Sequence, residues 1–329
     1  MHKIIAILLA LAAALLLVFH FMPRTPPDDP LAADGAARLL DGIFTGKTAE
    51  ALDAEGIGAD FHMHFMDFLE IDGEIWAYYI KGNADGKMAT GLAKSTDGLD
   101  FVDCGLVLEP TPGGWDNEMT SFAGVWHEDG VFYLTYEGSG REPAQCNGAI
   151  GLATSTDGLH FEKQGRILHY TGRGLEAGNI GTPDLYKEGD TWYLFYHSFN
   201  WNTCQICVAS GPDLFHLTRA KRNPIIPARK CKFDAGTTGR RDIVRAGGYY
   251  YMVYEVSTAQ PYETASWGHT FARSKDLLRW EIADKLLYPA TGGGMGNDGP
   301  NWYIDGDDVF VYFRADGNTS ARTKLIFAQ

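Results

Sequence analysis

Three aspartates hold one position of a repeated unit. Asp67, Asp184 and Asp242 each lie seven residues before an aromatic run, and Gly124 and Asn301 hold the same place in two further units. A carboxylate inside a strand is costly unless it faces water, a cation or hydrogen-bond donors. Three that converge on one axis shift one another's proton affinities, which is how like groups divide the duties of acid and base. The same ring could instead line a water-filled channel or hold an ion, so what it does depends on the elements that position it.

Those elements recur at a regular period. The aromatic runs Glu74–Tyr79, Val131–Tyr136, Thr191–Tyr196, Tyr249–Tyr254 and Asp308–Phe313 start 57, 60, 58 and 59 residues apart. Each is followed by a third strand-like segment ending in an acidic turn, and the segments Gly91–Phe101 (GLAKSTDGLDF) and Gly151–Phe161 (GLATSTDGLHF) are nearly identical. Strand-rich units too small to bury their own faces must stack or close radially. Units of about sixty residues with three or four strands predict an all-β, five-bladed β-propeller. Asp97 and Asp157 belong to its grammar, as turn residues whose carboxylates bond nearby backbone donors before a glycine. The last unit lacks an outer strand, and Arg38–Thr45 (RLLDGIFT) is the candidate to supply it.

Innermost strands line a propeller's channel, and the loops leading into them form a cup. Glu118, Glu176, Arg240, Arg241 and Asp298 flank the aspartates on that side, and Glu137, His197, Glu255 and Arg314 stand just after four of the aromatic runs. Trp115, Trp201, Trp267 and Trp302 lie in or beside the same loops, where flat rings could stack on sugar faces or simply pack. His62 and His64 put two imidazoles on one strand face, so a central-channel metal is possible, although no further ligands are fixed. No other cofactor is expected. Cys204 and Cys207 have metal-pair spacing, but an offset of three in a strand turns their sulfurs to opposite faces.

Of the 329 residues, 45% are hydrophobic and 21% charged, enough for a full core without a disulfide framework. A net charge of −14 with no basic stripe argues against nucleic acid or anionic lipid as partners. Residues 4–22 form an apolar run after Lys3 and precede a Pro-rich stretch. Residues 1–22 therefore read as a signal sequence or membrane anchor, 23–36 as a tether and 37–329 as the propeller. The expectation is an exported monomer, periplasmic or extracellular, with membrane contact only through the N-terminal segment.

The repeated pattern of an aromatic strand followed by Ala-x-Ser and an acidic turn resembles the five-bladed propeller glycoside hydrolases, the group of arabinanases, β-xylosidases and invertase-like enzymes. That resemblance covers residues from about 60 to 329. It implies cleavage of a poly- or oligosaccharide by carboxylates from different inner strands: Asp67 as base or nucleophile, Asp242 as acid and Asp184 as orienting group. Glu118, Trp115, Arg241, His197, Glu255, Trp267, Asp298 and Arg314 would contact the sugar. Two departures stand out. Aligning Thr182-Pro183 with the family's Asp-Pro pattern puts Thr182, not Asp184, at the catalytic place, and the usual acid is a glutamate where the fourth blade has Asp242, which leaves Glu118, Glu255 and Asp298 as alternative proton donors. A non-catalytic glycan-binding propeller and a transglycosylase are the alternatives.

Overall fold

The computed structural model describes residues 34–46, 49–51, 53–58, 63–257, 267–283, 285–287, 297–315 and 319–328. Helix α1 (Asp34–Thr45) and the short strands β1 (Ala49–Ala51) and β2 (Glu55–Gly56) precede a series of antiparallel meanders. The first is β3 (His64–Ile71), β4 (Glu74–Gly82), β5 (Met88–Ser95) and β6 (Val102–Leu108). The second is β7 (Met119–Glu128), β8 (Val131–Gly140), β9 (Cys146–Ser155) and β10 (Glu162–His169). The third comprises β11 (Asn179–Glu188), β12 (Thr191–Phe199), β13 (Cys204–Gly211) and β14 (Thr218–Arg219). The fourth comprises β15 (Thr238–Ala246), β16 (Tyr249–Ser257), β17 (Trp267–Ser274) and β18 (Trp280–Ile282). The last is β19 (Asp298–Asp305), β20 (Asp308–Ala315) and β21 (Thr319–Phe327), with β1 and β2 paired antiparallel to β21.

Each meander's first strand lies innermost, and these strands touch in the cyclic order β3, β7, β11, β15, β19 and back to β3. The apolar faces are shared between neighbours. Trp76 and Leu92 pack with Val125 and Leu134 across the first and second meanders. Met66 and Ala77 pack with Phe310 and Tyr312 across the first and last. Burying one such side chain is worth roughly 1.5–3 kcal/mol, so no meander is stable without its neighbours.

The near-identical segments have a packing reason. Ser95 Oγ accepts the Gly98 N–H at 2.9 Å, and Asp97 accepts those of Leu99 and Asp100 at 2.8 and 2.9 Å. This turn offers the Gly98 carbonyl to Tyr312 Oη (2.7 Å), just as the second turn offers the Gly158 carbonyl to Tyr78 Oη (2.9 Å). A Cβ on Gly98, whose φ is +69°, would sit 2.5 Å from the Tyr312 oxygen. The turn therefore needs glycine both for its φ and for the tyrosine of the neighbouring meander.

One expectation is corrected. Arg38–Thr45 is part of α1, and the outer strands beside β21 are β1 and β2. Ala36, Leu39, Leu40 and Ile43 recur at helical spacing and pack against the fourth and fifth meanders. Their buried stripe holds the segment as a helix. The calls on residues 1–33 and on His62 lie outside the described residues. Among the described residues no helix is long and apolar enough to cross a membrane, and no group of His, Cys, Asp or Glu is arranged to hold a metal ion. None of the five cysteines forms a disulfide.

Candidate active site

Each inner strand breaks its ladder at the same place. Pairing shifts between His64 and Asp67, Ser121 and Gly124, Gly181 and Asp184, Thr238 and Arg241, and Asp298 and Asn301. Within these bulges Phe65, Phe122 and Thr182 take positive φ values of 50°, 54° and 42°. Bulges of this kind re-aim side chains, and strained non-glycine residues cluster where function requires them. The bulge divides the axis into two tiers, an upper one where the inner strands begin and a lower one beneath it.

Arg240 lies between the tiers and is fully buried. Its guanidinium donates to the carbonyls of Ala123 and Pro183 (both 3.0 Å) and Met66 (3.1 Å), tying three inner strands to a fourth. Below it Asp67, Asp184 and Asp242 meet, as their spacing predicts. Asp67 accepts N–H bonds from Val125 (2.7 Å) and Phe68 (3.1 Å), and Asp242 from Trp302 and Ile243 (both 2.7 Å). Two of these bonds cross to the next meander. Asp184 Oδ2 and Asn301 Oδ1 have no hydrogen-bond partner among the described residues. Burial pushes Asp67 up to about 7, with Arg240 opposing and Asp242 adding. Burial, reinforced by Asp242 and Asp67, holds Asp184 well above the carboxylate range, and burial also raises Asp242 against the pull of Arg240. The aspartates face an 850 Å³ channel walled by the trailing halves of the inner strands, including Leu69, Trp126, Tyr186 and Tyr303.

The upper tier lies on the other side of Arg240. Glu137, His197, Glu255 and Arg314 hold equivalent positions on β8, β12, β16 and β20, and β4 has Ile80 there. Thr182 joins several of them. Its N–H donates to Glu137 Oε2 (2.8 Å), its Oγ1 lies 2.9 Å from His197 Nδ1, and Arg241 Nη2 bonds the same hydroxyl. Arg241 Nε donates to the Gly239 carbonyl (3.1 Å), and its Nη1 has no partner among the described residues. Glu255 accepts N–H bonds from Arg240 (2.8 Å) and Gly299 (2.7 Å), and Asp298 is clasped by Arg314 through both oxygens.

Burial dominates the electrostatics of this tier. It pushes Glu137 up to about 7, with the Thr182 N–H and Arg241 pulling the other way. It pushes Asp298 up to about 8, with Glu255 adding and Arg314 opposing. Burial and then Arg241 lower His197 to about 3, so its ring is neutral, and burial lowers Arg241 to about 10.

The structure thus gathers Arg241, His197, Glu255, Asp298 and Arg314 above the bulge and Asp67, Asp184 and Asp242 below it. Thr182 sits in the upper tier, beside Glu137, His197 and Arg241. Other residues are engaged elsewhere. Trp115 stacks on Tyr136 at 5.9 Å, Trp267 is 2% exposed, and Glu118 lies within 3.5–3.6 Å of Lys87 and Arg141. Glu176 bonds Tyr196 Oη and Arg219, the same brace that Asp116 makes with Tyr136 and Lys163 one meander earlier. Trp302 is buried, whereas Trp201 is 67% exposed.

No family model matches the chain. A solved glycoside hydrolase superposes with a TM-score of 0.65 at 18% identity, over 87% of this chain and 94% of that one. A thermostable family-43 glycoside hydrolase gives 0.62 at 17% identity, over 84% and 92%. The chain has the propeller fold of these hydrolases. It is also 33% identical over 145 residues to sucrose-6-phosphate hydrolase of Escherichia coli, a match covering 40% of this chain and 28% of that protein. The chain spans between 24% and 37% of the length of the curated relatives it matches.

Proposed function

We propose that this chain is a glycosidase that cleaves a poly- or oligosaccharide at the upper mouth of a five-bladed β-propeller. The observation that carries this reading is the upper tier: Glu137, His197, Glu255 and Arg314 at equivalent positions of four second strands, buried or half-buried, with Arg241 and Asp298 beside them. Neighbouring carboxyls whose proton affinities burial raises, as it does for Glu137, Glu255 and Asp298, can supply an acid and a base for glycosidic cleavage when one is protonated and another is not. The chain's similarity to glycoside hydrolases supports the same reaction class, and Trp201 offers an exposed ring to a sugar face. The chain is proposed to be an exported monomer, held at a membrane through residues 4–22 and otherwise free of it.

A second assignment within the same function places the acid and base on Asp67, Asp184 and Asp242, favoured by their mutual coupling and by the channel they face. The test is release of reducing sugar by the full-length protein from a panel of plant and bacterial polysaccharides, with Asp242→Asn alongside. Release by the wild type that survives in the variant supports the upper tier; release that the substitution abolishes supports the aspartate ring. Glycan binding without release across the panel points to a lectin, and products lengthened on a sugar acceptor point to transglycosylation.

A further inference from the structure

The upper-tier carboxyls differ in how many donors already occupy them. Both oxygens of Glu255 accept backbone N–H bonds, and both oxygens of Asp298 are held by the Arg314 guanidinium. Each oxygen of these two carboxyls thus already carries a donor, which leaves fewer of its lone pairs for another molecule. Glu137 accepts one hydrogen bond among the described residues, from Thr182 N–H to Oε2, which leaves Oε1 to carry a proton. Its carboxyl is seated in a notch that only glycine leaves open: a Cβ on Gly181 would lie 1.9 Å from Oε2. Thr182, whose N–H orients Glu137, is itself held through its hydroxyl by His197 and Arg241.

We propose that Glu137 is the proton donor of the cleavage, an assignment that rests on the glycosidase reading. The Oε1–H of Glu137 passes its proton to the glycosidic oxygen as the bond from that oxygen to the anomeric carbon breaks, and the leaving sugar departs as an alcohol. A water oxygen bonds to the anomeric carbon, and the proton that water loses goes to a lone pair left open by the Arg240 and Gly299 N–H groups on the carboxylate form of Glu255, whose proton affinity burial raises. Exchange with solvent then removes that proton from Glu255 and returns one to Glu137. Burial keeps Glu137 protonated into the neutral range, against the weaker pull of the Thr182 N–H and Arg241. Thr182 and Arg241 are positioning residues in this scheme.

The test uses the full-length protein in detergent and two glycosides of whichever sugar the wild type releases, one with methanol and one with 2,4-dinitrophenol as leaving group. Glu137→Gln should lose roughly 100-fold or more on the methyl glycoside and less than about tenfold on the dinitrophenyl one, whose departure needs no proton. The pH–rate limb near neutrality should vanish with it. Should the Gln variant fail to fold, Glu137→Asp, which withdraws the carboxyl by one methylene, should show the same leaving-group contrast. Equal losses on both glycosides, or none, overturn the assignment of Glu137 while leaving the glycosidase reading intact. A wild type that turns over nothing on the polysaccharide panel overturns that reading and this assignment with it.

Discussion

The two tiers on either side of Arg240 use similar residues for different ends. In the lower tier Asp67 and Asp242 each accept a backbone N–H from the next meander, so their charge holds the inner strands in register. In the upper tier Glu137 and Glu255 likewise accept a backbone N–H from the next meander, from Thr182 and Gly299, while Asp298 is held by Arg314, and these groups sit where the ladder is already broken. A buried carboxylate is therefore no sign of catalysis by itself. Carboxyls within each tier differ in how far the scaffold occupies them: Glu255 and Asp298 have donors on both oxygens, Glu137 has one donor, and Asp184 Oδ2 has none among the described residues.

The sharpest way to break this contrast is Arg240→Met. The substitution strands three carbonyls and removes the cation beside Asp67, and losing one partner of a buried charged cluster costs about 3–5 kcal/mol. Urea unfolding should show that loss, and a change under about 1 kcal/mol would mean that Arg240 does not join the strands. Next comes Gly181→Ala, whose methyl group must push the Glu137 carboxyl aside. Turnover should fall by roughly 100-fold with about 1 kcal/mol or less of stability, since φ at Gly181 is ordinary. A stability loss without a loss of turnover would take Glu137 out of the reaction.

The third effect is on pH dependence. Glu137 binds its proton more tightly folded, at about 7, than unfolded, at 4.5. The folded state thus holds more protons between those values, and stability falls as pH rises through the window before levelling off. The size is at most about 3 kcal/mol. Glu137→Gln should make that slope shallower by Glu137's share, leaving the shares of Asp67 and Asp298, which burial raises in the same way. His197 acts oppositely: lowered from 6.5 to about 3, it withdraws stability as pH falls below 6.5, and that limb should remain in the variant. Chemical denaturation at a series of pH values separates the two. The smallest effect is that of Trp201→Ala, which removes an exposed ring and should raise KM a few-fold with little change in kcat or stability.

Much of the fold was legible because its repeat is written in spacing. Ser95-x-Asp97-Gly98 and Ser155-x-Asp157-Gly158 mark turns whose glycines receive a neighbour's tyrosine, and a constraint used at each interface leaves a visible period. The helix over Arg38–Thr45 was equally written in its apolar spacing, but the expectation of a closing strand overrode it. The site was legible by residue and not by height. Counting back from the aromatic strands put Asp67, Asp184 and Asp242 together correctly, yet the count carried no sign of the bulge that separates them from Arg241 and His197. Thr182-Pro183 was the one local signal of that step. The tryptophans misled for a simpler reason: a large ring beside a loop serves packing as well as display, and Trp115 and Trp267 are packed.

The most direct measurement is kcat/KM for sugar release by the full-length wild type, Glu137→Gln and Asp242→Asn on the same substrate, each checked for folding by circular dichroism. A catalytic upper tier and a bracing lower one predict a loss of roughly 100-fold or more for Glu137→Gln. They predict a change within a few-fold for Asp242→Asn, whose cost should appear instead as about 1–3 kcal/mol of stability. Turnover lost in folded Asp242→Asn and kept in Glu137→Gln would contradict the division of the two tiers and move the chemistry to the aspartate ring.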